Sequence, residues 1–273
     1  MNRPALKWLG SKAGIIDTLR QHLPEGARLV EPFVGSGAVF LNTDYDSYLL
    51  CDINGDLINF HNMAKNLPDV LIREARNLFK EHADEVGYYA VRADFNLRCD
   101  SNFLYRAAQF LYLNRHGYNG VCRYNQRGEF NVPFGHRKAP YFPEDEIRAF
   151  SEKAQAKKVA FQCCTFQEAI RMAAPGDVIY CDPPYVPASA TANFTSYHTD
   201  GFSSDRQRKL ACMLRIAARR GCHVVASNSE TQAARELYSD FDITSITARR
   251  SVSAKADSRA RASEIIATLR AAS

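Results

Sequence analysis

The stretch DVIYCDPPYVP at residues 177–187 joins an apolar run to an acid, two prolines and an aromatic ring. Proline fixes φ and has no backbone N–H, so Asp182 and the carbonyls of Pro183 and Pro184 form a rigid set of hydrogen-bond acceptors. An exocyclic amino group on a base carries two N–H donors that such acceptors can bind, and Tyr185 can stack on the face of that base. The tetrapeptide 182–185 therefore predicts a site that activates an amino nitrogen for direct, in-line attack on a methyl donor.

A second candidate site is the glycine loop in EPFVGSGAVF, residues 31–40, which follows a short apolar run. Gly35 and Gly37 allow the backbone to approach a ligand closely. Asp52 ends the next apolar run, where a carboxylate can accept hydrogen bonds from both hydroxyls of a ribose. Glycine loop and acid together indicate a cofactor that contains a nucleoside.

The residues around the glycines distinguish between such cofactors. A dinucleotide fingerprint has a third glycine or alanine where this chain has Phe40. Pro32 and Phe33 fit an adenosyl and methionine moiety better than a pyrophosphate. A GxxxxGK[ST] loop is absent, which argues against a nucleoside triphosphatase. The loop therefore favours S-adenosylmethionine over NAD.

Strands and helices alternate along much of the chain, which predicts an α/β fold with a mainly parallel, Rossmann-like sheet covered on both faces. Strands are predicted near 27–31, 47–55, 157–165, 177–184, 222–228 and 241–249, and clear helices at 203–220 and 229–239. Helical spacing at 56–114 and a glycine-rich β-hairpin at about 116–135 interrupt the alternation. We therefore expect a catalytic domain formed by 1–54 and 146–273, with an inserted target-recognition domain at 55–145.

Composition narrows the class of protein. The chain has 273 residues, 46% hydrophobic and 24% charged, as is typical of a globular protein. No apolar run approaches the roughly 20 residues that span a bilayer, and the N-terminal stretch lacks a secretory signal, so we expect a cytoplasmic protein without a membrane partner. Eight cysteines without CxxC or Cys/His ligand spacing predict reduced thiols and no metal site.

The positive charge is concentrated in two segments. The formal net charge is +5, and residues 115–138 hold five basic side chains against one acid. Residues 249–261 hold another five against one acid. Local basic surfaces of this kind suit a phosphate backbone as partner.

Several motifs together resemble the Dam family of bacterial and phage DNA adenine methyltransferases, within the α-group of amino-methyltransferases. They are LKWLGSK (6–12), LVEPFVGSGAVFLNTD (29–44), CDINGDLI (51–58), LYLNRHGYNGVCRYNQRGEFNVPFG (111–135), YFPE (141–144) and YCDPPYVPASATANFTSYHT (180–199). The resemblance covers most of the chain and fades after about residue 255. It implies N6-methylation of adenine in duplex DNA at GATC. Because an amino group inside a duplex is out of reach, the nucleotide must be flipped out, and we expect the protein to act as a monomer.

The resemblance also implies roles for individual residues. Trp8, Lys12, Asp52 and Asp182 would line the S-adenosylmethionine site, and residues 182–185 match the catalytic tetrapeptide. Contacts that distinguish or wedge apart the target bases would come from Lys7, Tyr118, Asn119, Val121, Arg123 and Pro133. An arginine in the major groove discriminates guanine by about 1–3 kcal/mol. Contacts to phosphates, which position without specifying, are predicted for Arg115, Asn125 and Lys138.

Two alternatives stay open at this point. One is an amino-methyltransferase acting on RNA or on a protein glutamine; aspartate rather than asparagine at 182 and the basic hairpin argue against it. The other is a DNA-binding module without activity, which the intact tetrapeptide and Asp52 argue against.

Overall fold

The computed structural model describes residues 1–97, 102–137, 139–185, 202–249 and 261–271. In these residues seven strands form one sheet of order β3-β2-β1-β4-β5-β7-β6. Their bounds are β1 (Arg28–Glu31), β2 (Ser47–Asp52), β3 (Lys158–Cys163), β4 (Val178–Cys181), β5 (His223–Ser229), β6 (Asp242–Arg249) and β7 (Arg261–Leu269). The first five strands pair in parallel, which confirms the predicted α/β class.

The reversal of strand order between β1 and β4 determines where a ligand can bind. From β1 the chain proceeds to β2 and β3 on one side, whereas β4 and β5 extend the sheet on the other. In such sheets ligands bind beyond the carboxyl ends of the strands at the point of reversal. Glu31, Asp52 and Asp182 stand at or directly after the carboxyl ends of β1, β2 and β4, so three acids converge there.

Helices cover the sheet and extend from it. They are α1 (Ile16–His22), α2 (Ala38–Asn42), α3 (Gly55–Asn66), α4 (Pro68–Glu81), α5 (Glu85–Asn96), α6 (Phe103–His116), α7 (Glu144–Ala156), α8 (Phe166–Arg171), α9 (Ser204–Arg219) and α10 (Gln232–Leu237). One apolar core joins Leu29 and Leu50 of the sheet to Tyr88 and Phe110 of the helical block. The helical block and the sheet are therefore packed on a continuous core. No helix among the described residues is long and apolar enough to cross a membrane.

Two parts of the fold differ from the expectation. β7 was not predicted; it lies between β5 and β6, antiparallel to both, and carries the buried run Ile265, Ile266 and Ala267. The segment predicted as a β-hairpin does fold back on itself, but through two isolated antiparallel bridges, Gly117 to Phe134 and Tyr124 to Phe130, rather than two regular strands. We call residues 117–134 the recognition loop, after the role that the sequence predicts for this segment.

Candidate active site

A cavity of about 350 Å³ opens at the carboxyl ends of β1, β2 and β4. Among its lining residues are seven that the sequence suggested for the cofactor: Trp8, Lys12, Pro32, Phe33, Gly35, Asp52 and Asp182. The cavity also contacts the rest of the tetrapeptide 182–185. The predicted cofactor and catalytic residues thus surround one space, although they come from four separate segments of the chain.

Position 35 requires a glycine because of its backbone conformation and because of its neighbour Trp8. Its φ is +49°, and a Cβ atom there would lie 2.8 Å from Nε1 of Trp8. Its amide donates to Asp52 Oδ2 at 3.2 Å, so the glycine loop is bonded to the end of β2. The Gly35 carbonyl can only accept a hydrogen bond, so His61 Nε2, 2.8 Å away, carries the hydrogen. Burial lowers the pKa of His61 to about 4, so its ring is neutral at pH 7.

The close approach of Gly37 to a ligand stays a prediction, because Gly37 is not among the residues that line the cavity. It precedes α2 with φ +74°, outside the cavity lining. A Cβ there would lie 3.3 Å from the Phe150 ring, so the position serves the turn and the packing beneath the loop. Of the two predicted glycines, only Gly35 contacts the cavity.

Asp52 is arranged as an acceptor. Its Oδ1 accepts from the Asn54 amide at 3.0 Å and its Oδ2 from the Gly35 amide. Burial nevertheless raises the pKa of Asp52 to about 6, with these backbone donors opposing the rise. At neutral pH the side chain is mainly a carboxylate, with remaining lone pairs to accept hydroxyl donors.

Three aromatic rings form an apolar wall of the cavity. Phe33 stacks on Phe166 with ring centroids 5.7 Å apart and meets Phe202 edge-on at the same distance. Phe166 begins α8, whose start is fixed by a capping box in which Thr165 and Glu168 bond reciprocally. Phe166 and Phe202 were not predicted, because an aromatic residue at a helix start has no periodic signal in the sequence.

Asp182 is held by a buried lysine. Lys12 Nζ lies 2.7 Å from Asp182 Oδ2 and also donates to the Gly10 carbonyl at 2.8 Å. Asp182 Oδ1 is buried and has no hydrogen-bond partner among the described residues. Burial raises the pKa of Asp182, and the charge of Lys12 opposes that rise. One carboxylate oxygen is thus neutralised, while the other is left to accept from a ligand.

Glu31 is a site residue that the sequence analysis missed. It is 1% exposed, lines the same cavity, and its Oε1 also lacks a partner in the described part of the chain. Burial, followed by the charge of Asp182, raises the pKa of Glu31 well above its usual range. The feature of the sequence that could have identified Glu31 is an acid at the end of an apolar strand, next to Pro32 and Phe33. Two buried acids that influence each other's charge therefore line the same cavity.

The remaining tetrapeptide groups are bonded to other parts of the chain. The Tyr185 hydroxyl donates to Glu264 at 2.8 Å, and Lys12 Nζ lies 4.8 Å from the centroid of its ring. The Pro184 carbonyl accepts from Gln207 at 2.7 Å. Of the two proline carbonyls, that of Pro184 is therefore already bonded to the protein.

The tip of the recognition loop presents several predicted DNA contacts to solvent. Tyr118 is 55% exposed, and Asn119 beside it is exposed with φ +54°. The Tyr118 amide donates to the carbonyl of Pro133, which brings that exposed proline to the same tip. Arg123 is exposed and donates to the Asn131 side chain at 2.8 Å. Tyr118, Asn119 and Pro133 therefore lie together at one exposed tip, and Arg123 is exposed elsewhere on the same loop.

Three other predicted DNA-contact residues, Lys7, Val121 and Asn125, are partly buried. Lys7 lies with its stem against Gly120, and burial, helped by nearby arginines, lowers its pKa to about 8. Val121 packs partly on the core. Asn125 accepts from the amides of Arg127 and Glu129, so its side chain holds a turn.

Arg115 does not fit the predicted phosphate contact. Its side chain is 6% exposed, and its guanidinium donates to the Ala5 carbonyl and lies 5.6 Å from the centroid of the Tyr141 ring. In this position it fixes the N-terminal segment to α6. The predicted contact of Lys138 lies outside the described residues.

Comparison with known proteins assigns the chain to a family. A family model described as D12 class N6 adenine-specific DNA methyltransferase matches residues 8–252. The chain belongs to this family. The resemblance and the enzyme class inferred from the sequence motifs are thereby confirmed.

Curated relatives match nearly the whole chain. A DNA adenine methylase of Serratia marcescens is 46% identical over 271 residues, covering 98% of this chain and 99% of that protein. The retron Ec67 DNA adenine methylase of Escherichia coli is 48% identical, with coverage of 96% and 90%. The DNA adenine methylase of Escherichia coli strain K12 is 47% identical, with coverage of 97% and 95%. The family match therefore includes both the cavity and the recognition loop.

Family membership gives the acids of the cavity a chemical context. Among the described residues, no group of three or more His, Cys, Asp or Glu side chains is arranged to hold a metal ion. The convergent acids are instead grouped with a lysine and aromatic rings, a set suited to an organic cation and a base.

Proposed function

We propose that this methyltransferase takes the methyl group from S-adenosylmethionine and places it on N6 of an adenine flipped out of duplex DNA at GATC. The observation that carries the proposal is the buried Asp182 carboxylate. One of its oxygens is bonded to Lys12, and the other has no hydrogen-bond donor among the residues that the structure describes. A buried acceptor without a donor is unfavourable, so its presence supports a ligand that brings an N–H group.

The residues present fit S-adenosylmethionine. When bound, this cofactor supplies an electrophilic methyl group on a positively charged sulfur. Burial raises the pKa of both Glu31 and Asp182, so a bound cation would stabilise their carboxylate forms, whereas the negatively charged pyrophosphate of a dinucleotide would oppose them. Asp52 would accept the ribose hydroxyls, and Phe33 and Phe166 would hold the adenine ring.

The tetrapeptide would hold the target base. Asp182 Oδ1 and the Pro183 carbonyl would accept the two hydrogens of the N6 amino group, which draws the nitrogen lone pair out of conjugation with the ring. The Tyr185 ring would stack on the flipped base. Stacking of this kind is worth about 1–3 kcal/mol and offsets much of the few kcal/mol that flipping costs.

The recognition loop would provide sequence selectivity. Its exposed tip, with Tyr118, Asn119 and Pro133, would enter the duplex, and the exposed Arg123 would exchange its bonds to Asn131 for a guanine edge. Lys7, supported from behind by Gly120, would contact a base or phosphate beside it. We propose that residues 55–145 act as the target-recognition part of a monomer, with 1–54 and 146–273 as its catalytic part.

Methylation of an unmethylated plasmid tests this function. Purified protein with S-adenosylmethionine is expected to modify N6 of adenine at essentially every GATC, as mapped by single-molecule sequencing. An Asp182→Ala preparation should leave the plasmid unmodified while retaining its thermal unfolding temperature. Modification at other tetranucleotides would refute the GATC assignment. An unmodified plasmid together with methylated RNA would refute duplex DNA as the substrate.

A further inference from the structure

Two side chains far along the chain bond directly to the last two residues of the tetrapeptide. Gln207 Nε2 donates to the Pro184 carbonyl at 2.7 Å, and Glu264 accepts from the Tyr185 hydroxyl at 2.8 Å. We propose that Gln207 and Glu264 are positioning residues for methyl transfer: they fix the direction of the Pro184 peptide and the tilt of the Tyr185 ring. The inference rests on the proposed function of residues 182–185.

Glu264 is anchored on both sides. It lies on β7, opposite Ser229 of β5 and Ile246 of β6, so two ladders of backbone hydrogen bonds fix its Cα position. The next two residues, Ile265 and Ile266, are fully buried. A hydroxyl bonded to a side chain on such a strand has little freedom to move. The hydroxyl of Tyr185 is therefore hydrogen-bonded to a strand that lies between two others in the sheet.

Gln207 is oriented by a second amide. Its side chain is 3% exposed on α9, and its Oε1 accepts from Asn228 Nδ2 at 3.3 Å. Because the oxygen is used by Asn228, the amide N–H group faces the Pro184 carbonyl. Asn228 lies on β5 opposite Ile265. Both supports therefore depend on the same pairing of β5 with β7.

The hydrogen bond to Glu264 holds the Tyr185 ring beside the lysine that is paired with Asp182. The ring lies 4.8 Å from Lys12 Nζ, and that ammonium holds Asp182 at 2.7 Å. If the hydroxyl is released, the ring can tilt away from the position in which it would stack on a base, although Asp182 and the cofactor residues stay in place. Loss of either support should thus slow the chemical step and leave cofactor binding nearly unchanged.

A double-mutant cycle on Tyr185 and Glu264 tests the inference. The single-turnover rate of methyl transfer to a GATC duplex is measured with saturating enzyme and S-adenosylmethionine for Tyr185→Phe, Glu264→Ala and the double variant. Each single change should slow transfer about tenfold, and the double variant should be no slower than either, because both remove the same bond. Glu264→Gln, whose amide oxygen still accepts the hydroxyl, should stay within about threefold of wild type.

Matched variants separate positioning from stability. Ser263→Ala, an exposed change on the same strand, should leave the rate unchanged, and cofactor Kd should stay within about twofold throughout. Gln207→Leu should also slow transfer. Additive effects in the cycle, or a folded Glu264→Ala protein with a wild-type rate, would overturn the inference. If the wild-type protein is active in the same assay, the proposed function is upheld. A wild type that does not methylate the duplex would refute both.

Discussion

Replacement of Lys12 by methionine is the sharpest test of the electrostatics at the candidate site. Lys12 Nζ lies 2.7 Å from Asp182, and both groups are largely buried. At an effective dielectric constant of about 20, two unit charges at that distance attract by roughly 6 kcal/mol. Desolvation of the ammonium offsets part of this, and breaking a buried pair typically costs about 3–5 kcal/mol. Methionine fills similar space without charge, so Asp182 would retain the burial that raises its pKa and lose the charge that opposes it.

The measurable consequence is a shift in the pH dependence of methyl transfer. Asp182 accepts as a carboxylate, so activity is present above its pKa and is lost as pH falls through that value. A loss of about 3 kcal/mol moves the acidic limb of the pH–rate profile about two pH units higher. The assay is single-turnover transfer to a GATC duplex at saturating cofactor, with cofactor Kd measured separately. Lys12→Arg keeps the charge and should move the limb by much less.

One result would refute this reasoning. If Lys12→Met lowers the rate by the same factor at every pH and leaves the acidic limb in place, then Lys12 does not control the ionisation of Asp182. Its role would then be confined to binding the cofactor or to the fold. Thermal unfolding of the same preparations shows whether the variant is folded, so a general loss of structure is distinguishable from either outcome.

Three further predictions concern the cofactor site and the recognition loop. Burial raises the pKa of Asp52 from 3.8 to about 6. Between these pH values the folded chain therefore binds more protons than the unfolded chain. The free energy of unfolding should fall by up to about 3 kcal/mol as the pH rises through this range. Asp52→Asn should remove that slope in urea titrations, and an unchanged slope would contradict the assignment. At Gly120 φ is +67°, and an added Cβ would lie 2.5 Å from the Lys7 stem. Gly120→Ala should therefore lower duplex affinity at least tenfold and leave the cofactor Kd unchanged. Equal loss of duplex and cofactor binding would indicate unfolding. Phe33→Ala removes a ring from the aromatic wall and should weaken cofactor binding about tenfold in calorimetry, whereas duplex binding should persist.

The parallel part of the fold was predictable because its strands are short apolar runs with polar ends. The runs in β1, β2, β4 and β5 are almost wholly buried, whereas the edge strand β3 is buried only at alternate residues. The acids that end or follow β1, β2 and β4 mark the carboxyl edge of the sheet. β7 was not found because it lies between β5 and β6, out of chain order, and is antiparallel to them. Nothing in a local pattern indicates insertion between two strands that are already consecutive in the sequence.

The site was predictable where a residue type is tied to one chemistry, and not where burial decides. An arginine near a basic loop suggested a phosphate contact, but Arg115 lies inside α6 and bonds to the Ala5 carbonyl. Gly37 matched a ligand loop, but its space is filled by Phe150. Glu31 was overlooked because a lone acid at a strand end has many uses, and only its burial beside Asp182 distinguishes it.

The rigidity of the Asp-Pro-Pro-Tyr turn illustrates why a short motif does not specify its own geometry. Proline fixes φ at residues 183 and 184 but leaves ψ, and so the direction of the Pro184 carbonyl, to be set by its partners. In this chain the partners are Gln207, 23 residues later, and Glu264, 79 residues after the tyrosine. The same four residues without those supports would keep their acceptors but lose a defined direction for the peptide and the ring. A chain with this tetrapeptide is therefore expected to act on an amino group at its full rate where its fold also brings a donor to the second proline carbonyl and an acceptor to the tyrosine hydroxyl.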